Sequence, residues 1–324
     1  MKSVDVTEDV VTLRGDLPRL LLRCQQVVAG AMPDIAVGKH CGSPCACQFH
    51  AWCDGDRSEH PVDILGCDWR LRDRLIEQGY RDLRDVPEEA IGDGLPHRIW
   101  SAAITGVSFT DPRAADLLRD LPYPRYYLDF ETIQFAVPIW PGTRPYEQLP
   151  FQWSCTIEHA DGTLDHREFL DTSGDAPMRA CLQELVESVG GDGPVFSYTD
   201  FEGRVLREGR ARYPDLAAAL DAIALRLVDL HPIARSHYYH PAQNGSWSIK
   251  RLLPTVAPDL DYANLDEVAD GTSAQLAYLE MVDPATDDER CRRLAEALRV
   301  YCQRDTEGMV RVAQYFVATR EEAK

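Results

Sequence analysis

The stretch RYYLDFETI, residues 125–133, places two acidic side chains inside an aromatic and aliphatic run. Aromatic and β-branched residues at this density predict a β-strand. Successive side chains of a strand point to opposite faces, so Asp129 and Glu131 lie on the same face. Two neighbouring carboxylates repel each other and resist burial. The segment therefore indicates either a solvated strand face or a site where a divalent cation lies between the two carboxylates.

A second acidic segment, ALRVYCQRDTEGMV, lies in the clearest helical pattern of the chain, over residues 289–317. Tyr301 and Asp305 are four residues apart, which places them one helical turn apart on one face. A tyrosine in that position can orient or activate a water beside a metal held by the aspartate. Because many helices contain this spacing, it gains meaning only together with the other acidic segments.

Two further acidic segments, SYTDFEGRVL and RLVDLHPI, lie between these. Asp200 comes at the start of a predicted helix, where a carboxylate is favoured by the helix dipole and serves equally well as a cap. Glu202 falls in the first turn of the same helix. Asp229 lies in the short predicted strand LVDL.

The order of predicted elements divides the chain into three regions. Residues 1–67 hold a cysteine-rich metal-binding region, and the helix expected over 9–31 is interrupted by Pro18. Residues 68–121 form a helical connector. Residues 122–320 begin with strands and continue with alternating strands and helices, which indicates a mixed α/β domain. Its predicted strands are RYYLDFETI, FQWSCTIEH, LDHREFLD, PVFSY and LVDL, with an Asp161-Gly162 hairpin turn, and its helices span 176–189, 201–212, 215–226 and 289–317.

Taken together, the acidic segments resemble the three motifs of the DEDD 3′→5′ exonucleases, tyrosine subtype, a superfamily that includes polymerase proofreading domains. YLDFET matches the first motif, YTDFE the second, and YCQRD the third. The resemblance implies a ribonuclease H-like mixed sheet flanked by helices. It also implies that Asp129, Glu131, Glu202 and Asp305 bind two Mg²⁺ or Mn²⁺ ions, while Tyr301 orients the attacking water.

The second motif departs from the family pattern, which ends in Phe-Asp. Here Phe201-Glu202 occupies that place, and the additional methylene leaves the ligand open. Asp200 is the alternative candidate for the metal ligand of the second motif, and Asp229 is a weaker candidate. In relatives, an acidic residue placed like Asp229 more often fixes the strand.

A narrower resemblance points to a family of bacterial exonuclease-like domains that often follow a RecB-like iron–sulfur nuclease. The segment GSWSIK carries it, with matches at Gly245, Ser246, Ser248, Ile249 and Lys250. We expect Lys250 either to reach a substrate phosphate or to be a surface lysine that opens a helix.

Four of the ten cysteines cluster in VGKHCGSPCACQFHAWC, at Cys41, Cys45, Cys47 and Cys53. Thiolates at this density select zinc or an iron–sulfur cluster. The stretch is similar to the terminal cysteine segment of iron–sulfur RecB-like nucleases, best at Cys41, Cys47 and Cys53, which implies a [4Fe-4S] cluster. The fourth ligand would be Cys45, or alternatively Cys24 or Cys67. We expect an iron–sulfur cluster or Zn²⁺ to hold a small helical N-terminal region together.

The net charge of −19 disfavours binding to a polyanion. Carboxylates that hold divalent cations reverse that local effect, and basic residues cluster at Arg204, Arg207, Arg210 and Arg212. The leading hypothesis is therefore an exonuclease that acts on the 3′ ends of single-stranded DNA or RNA. The alternatives are a nucleic-acid-binding module whose catalytic site has decayed, or a metal-stapled interaction subunit of a repair or defence complex.

The sequence contains no apolar run of the roughly 18 residues that a membrane span needs, so no membrane partner is expected. Its first residues lack the basic and apolar pattern of a secretory signal. A cytoplasmic location is the expectation.

Overall fold

The computed structural model describes residues 5–31, 35, 41, 47–49, 53, 58–66, 68–260 and 267–322. The chain divides into two units, Met1–Glu59 and His60–Lys324, which are described separately.

The first unit contains helix α1 (Thr7–Ala29). The predicted interruption at Pro18 is wrong, because the helix continues through that residue. An interior proline removes one backbone hydrogen bond, and here the flanking turns remain helical. Cys24, Cys41, Cys47 and Cys53 are free thiols, and the Cys47 N–H donates to the Cys41 carbonyl at 2.8 Å. Cys45 and Cys67 lie outside the described residues, so the iron–sulfur or zinc site stays a prediction.

The second unit contains the sheets and the remaining helices. Its described strands are β1 (Phe109–Thr110), β2 (Arg125–Ile133), β3 (Leu149–Glu158), β4 (Leu164–Leu170), β5 (Val195–Ser197), β6 (Leu227–Asp229) and β7 (Tyr238–Tyr239). Its described helices are α2 (Trp69–Glu77), α3 (Glu88–Ile91), α4 (Leu95–Thr105), α5 (Arg113–Leu118), α6 (Met178–Ser188), α7 (Phe201–Arg212), α8 (Ala217–Ala224), α9 (Leu230–His237), α10 (Ile249–Val256), α11 (Gly271–Met281) and α12 (Asp288–Glu322). Among the helices described, none is both long enough and apolar enough to cross a bilayer.

The main sheet has five strands in the order β4-β3-β2-β5-β6. The pairs β2–β3 and β3–β4 are antiparallel, whereas β2–β5 and β5–β6 are parallel. Helices flank the sheet, so the mixed α/β class and the five predicted strands are confirmed. The β3–β4 turn contains the predicted hairpin signal, where Gly162 adopts a φ of +82° that favours glycine.

Strand β2 is the centre of the sheet and is covered on both faces. Leu128 and Phe130 point into a core formed with β3 and with residues of α6, α7, α8, α11 and the first half of α12. Tyr127 points to the other face, where it stacks on Phe196 at 4.8 Å within a core that includes α5, α9, α10 and the second half of α12. Burial on both faces explains why this strand reads as a nearly continuous apolar run.

Candidate metal centre

The first two carboxylates of the site belong to β2. Asp129 and Glu131 share the face of Tyr127, and they lie opposite Ser154 and Gln152 of β3. The pairing register shifts directly after Glu131, which is a β-bulge. Bulges re-aim side chains and are common beside functional sites.

The third carboxylate comes from the long helix α12. One oxygen atom from each of Asp129, Glu131 and Asp305 lies within 4.8 Å of the others. Glu131 is 8% exposed and Asp305 is 7% exposed, whereas Asp129 is more open to solvent. Residues separated by more than 170 positions therefore form one acidic cluster with an opening at Asp129.

Polar side chains of β3 fix where α12 lies on the sheet. The Thr306 hydroxyl is 3.1 Å from that of Ser154 and 2.8 Å from that of Thr156. The Gln152 amide donates to the Leu298 carbonyl at 2.9 Å. Because these groups are buried, a shift of the helix would leave them without partners. The bonds thus hold Asp305, the neighbour of Thr306, beside the β2 carboxylates.

A fourth buried carboxylate nearby is Glu202 in the first turn of α7, which is only 2% exposed and is not one of the three whose oxygen atoms lie within 4.8 Å of one another. It lies on the same helix face as Val205, Leu206 and Gly209, all buried, at the spacing of a core-facing stripe. Its Oε2 atom has no hydrogen-bond partner among the described residues. Burial, followed by the nearby Asp229, Asp305 and Glu131, raises the pKa of Glu202 well above its ordinary value.

The two substitutes considered for the second motif have other contacts. Asp200 is exposed and forms an ion pair with Arg207 at 2.7 Å. Asp229 ends β6 and accepts hydrogen bonds from the backbone N–H of Thr199, at 2.8 Å, and of His231, at 2.9 Å. Thr199 has a φ of +87°, a costly conformation for a β-branched residue, and the Asp229 bond supports it.

The cluster carries more negative charge than its surroundings neutralise. Burial, together with Asp305 and the other carboxylates, raises the pKa of Asp129. Burial and Asp305 raise the pKa of Glu131 to about 8, although the Lys250 ammonium opposes the shift. Such a cluster must either bind protons or receive a cation. Oxygen ligands from carboxylates, with one side open, fit Mg²⁺ or Mn²⁺.

Tyr301 and Lys250 meet at the edge of this cluster. The Lys250 ammonium donates to the Tyr301 hydroxyl at 3.0 Å and to the Ala269 carbonyl at 2.7 Å. Burial and the neighbouring Asp305 raise the pKa of the Tyr301 phenol, which therefore stays neutral. The phenol oxygen accepts a hydrogen bond from Lys250, and the phenol retains its O–H proton, which it can donate in a second hydrogen bond.

Sequence reasoning missed Cys302 as a residue of the site. Its Sγ lies 3.4 Å from Oδ2 of Asp129 and contacts the carbonyl of the same residue. Cys302 precedes Asp305 by three positions, so both share a helix face. That spacing is the signal that could have identified it. The hydroxyls of Ser154 and Thr156 were missed as well, although their period of two on β3 matches that of the β2 carboxylates.

A cavity of about 590 Å³ is lined by residues that lie close in sequence to two of the candidate site residues. Its lining includes Thr199, three residues before Glu202, and Ile249, which directly precedes Lys250. Aromatic and polar side chains share the cavity, among them Tyr198, His231, Arg235, Ser246 and Trp247. Five of the six residues of the GSWSIK segment, from Gly245 to Ile249, thus line this cavity.

The comparisons with known proteins find one sequence family. Residues 126–248 match a family described as a domain of unknown function (DUF2779). The match includes Asp129, Glu131 and Glu202 but ends before Lys250, Tyr301 and Asp305. No curated protein and no solved structure matches the chain.

Proposed function

We propose that the protein is a metal-dependent 3′→5′ exonuclease of the ribonuclease H-like, DEDD type. The observation that carries this proposal is the convergence of Asp129, Glu131, Glu202 and Asp305 from three parts of the chain. Asp129, Glu131 and Asp305 meet within 4.8 Å, and Glu202 presents a buried oxygen that has no partner among the described residues. Structural stability alone does not account for buried carboxylates in this number, because each resists burial.

In the proposed phosphodiester hydrolysis, each group of site residues would have its own role. When bound, divalent cations would neutralise the carboxylates and supply Lewis acidity at the phosphate oxygens. Asp129, Glu131, Glu202 and Asp305 would hold those ions. The Tyr301 hydroxyl, fixed by Lys250, would donate its hydrogen bond to the attacking water and orient its lone pair toward phosphorus. The cavity lined by Tyr198 and Trp247 would hold the terminal nucleotide.

The test is hydrolysis of single strands of DNA and RNA labelled at the 5′ or the 3′ end, with Mg²⁺ and with Mn²⁺. We expect a 5′-labelled strand to shorten one nucleotide at a time, and a 3′-labelled strand to release labelled mononucleotide at once. Asp129→Asn and Asp305→Asn should abolish both signals. Asp259→Asn, which removes an exposed carboxylate paired with Arg311, is the matched control.

One observation favours a second candidate, a nucleic-acid-binding module without hydrolytic activity. Glu202 replaces the aspartate of the family's second motif, and its longer side chain changes where the carboxylate lies. If the folded wild-type protein binds single strands but hydrolyses none with either metal, this second function replaces the first.

A further inference from the structure

A groove of about 530 Å³ lies on the exposed side of α7. It is lined by Arg144, Arg204, Arg207, Glu208, Ala211 and Arg212. Arg144 comes from the connection between β2 and β3, and Arg212 ties that connection to α7 by donating to the Gly142 carbonyl at 2.9 Å. The groove therefore has two walls, one helical and one formed by the loop.

The groove brings four arginines together with one lining carboxylate, Glu208, in a chain whose net charge is −19. Arg207 pairs with the exposed Asp200, and Arg144 and Arg212 share the buried Glu147. Each guanidinium has five N–H donors, so one ion pair leaves several of them for a ligand. Arg204 lies over the Phe201 ring at 5.3 Å, a contact that uses none of its N–H groups.

One end of the groove shares a helical turn with Glu202. Glu202 points inward from the first turn of α7, whereas Arg204, in the same turn, is exposed. The eight steps from Arg204 to Arg212 extend about 12 Å along the helix axis at about 1.5 Å per residue. That length lets the row contact more than one phosphate of a bound strand.

We propose that this groove binds the phosphodiester backbone of a single-stranded nucleic acid on the 5′ side of the terminal nucleotide. The assignment rests on the proposed function, because it places the 3′ end of the same strand at the four carboxylates. Guanidinium groups bind phosphate oxygens through parallel N–H donors, and their row along α7 suits a ligand with regularly repeated charges. The backbone is common to DNA and RNA, and the contacts include no base edge.

The test measures the equilibrium affinity of a 5′-fluorescein 12-mer by anisotropy, with Ca²⁺ in place of Mg²⁺ or Mn²⁺ to suppress hydrolysis. Oligo-dT and oligo-rU are separate arms. For Arg204→Gln/Arg207→Gln we expect about tenfold weaker binding of both strands. We also expect the slope of log affinity against log salt to become shallower by roughly two. Arg311→Gln, which breaks an equally exposed pair with Asp259, is the matched control and should change neither quantity.

Three further measurements keep the test decisive if the double variant is unstable. Arg204→Gln alone should give about half of the change in salt slope. Asp200→Asn removes the ion-pair partner of Arg207 and should strengthen binding severalfold. A dinucleotide has a single phosphodiester, so Arg204→Gln should weaken its binding less than that of the 12-mer.

The proposal is overturned if the arginine variants bind the 12-mer as tightly as Arg311→Gln, or if the dinucleotide is affected as strongly as the 12-mer. Competition by polyglutamate as effective as that by the unlabelled 12-mer would also overturn it, because the groove would then accept any polyanion. Failure of the proposed function gives a different result: Asp129→Asn and wild type would be equally inactive, while the arginine variants would still lose affinity for the strand.

Discussion

The buried Glu131 makes stability depend on pH in a direction opposite to that of most carboxylates. Its pKa rises from an ordinary 4.5 to about 8 in the folded chain. The folded state therefore holds a proton more tightly than the unfolded state does. The stability that this proton provides is present below pH 4.5 and is lost as the pH rises through 8.

The magnitude follows from the size of the shift. A tenfold change in a proton-binding constant is worth about 1.4 kcal/mol, so the interval from 4.5 to about 8 corresponds to about 5 kcal/mol. That is a large share of the roughly 5–15 kcal/mol by which a domain is stable. Asp129 and Glu202 have pKa values raised by the same burial and add to the loss.

The assay is urea denaturation in EDTA at pH values from 5 to 8.5, with wild type and Glu131→Gln compared. The neutral amide keeps the shape of the side chain and needs no proton. We expect the free energy of unfolding of the variant to exceed that of wild type by an amount that grows toward about 5 kcal/mol at the upper end. The pKa of Asp259 is lowered by its bond to Arg311, so Asp259→Asn should give a difference that does not vary with pH above 5.5.

A difference in the free energy of unfolding between wild type and Glu131→Gln that is constant over this pH range would refute the reasoning.

The complementary measurement is the free energy of unfolding of the wild type with added Mg²⁺ or Mn²⁺. Cations compete with protons for the carboxylates, so their stabilising effect should increase with pH. At a concentration one hundred times the dissociation constant, the gain is about 2.7 kcal/mol.

Three other substitutions test separate parts of the site. Tyr301→Phe removes the hydroxyl that accepts from Lys250, and single-turnover assays should show hydrolysis about 100-fold slower, with strand affinity retained; equal rates would exclude a role in orienting water. Thr306→Val deprives two buried hydroxyls of β3 of their partner, and urea denaturation should show a loss of about 1–3 kcal/mol; an unchanged midpoint would contradict the role assigned to these bonds. Gly245→Ala should destabilise by at least about 1–3 kcal/mol, because φ is +74° and a Cβ would lie 2.1 Å from the Ile64 carbonyl oxygen; thermal unfolding measures this, and a stable variant would refute it.

The strands and most helices could be predicted because their patterns are local. Strand β2 spans the predicted residues 125–133, and α7 spans the predicted residues 201–212. The spacing of Asp129 and Glu131 by two also fixes their common face without any tertiary information. Helix α1 is the exception, because a proline in a helix interior ordinarily predicts an end or a kink.

The choice between Asp200 and Glu202 depended on which face of α7 is buried. The sequence contained that information in Val205, Leu206 and Gly209, which follow Glu202 by three, four and seven positions. Motif matching compares the residue type at a single position, so it left Asp200 and Glu202 as alternative metal ligands. Helical periodicity places Glu202 on the core face and Asp200 on the arginine face.

The contacts of Lys250 and Cys302 could not be predicted in the same way. Both depend on where α10 and α12 pack against β2, and that placement is fixed by long-range bonds such as those of Thr306. A lysine next to a helix start and a cysteine inside a helix carry no local signal of their partners.

The net charge of −19 and the local charge of the groove act over different distances. At physiological ionic strength the Debye length is about 8 Å, so exposed carboxylates farther away than this are largely screened from a bound strand. Arg204 and Arg207 would act at hydrogen-bonding distance, where screening is weak. The four carboxylates of the proposed site are mostly buried and would be neutralised by the cations proposed to bind there. The overall acidity of the chain is therefore expected to slow the approach of a polyanion more than it weakens the final contact.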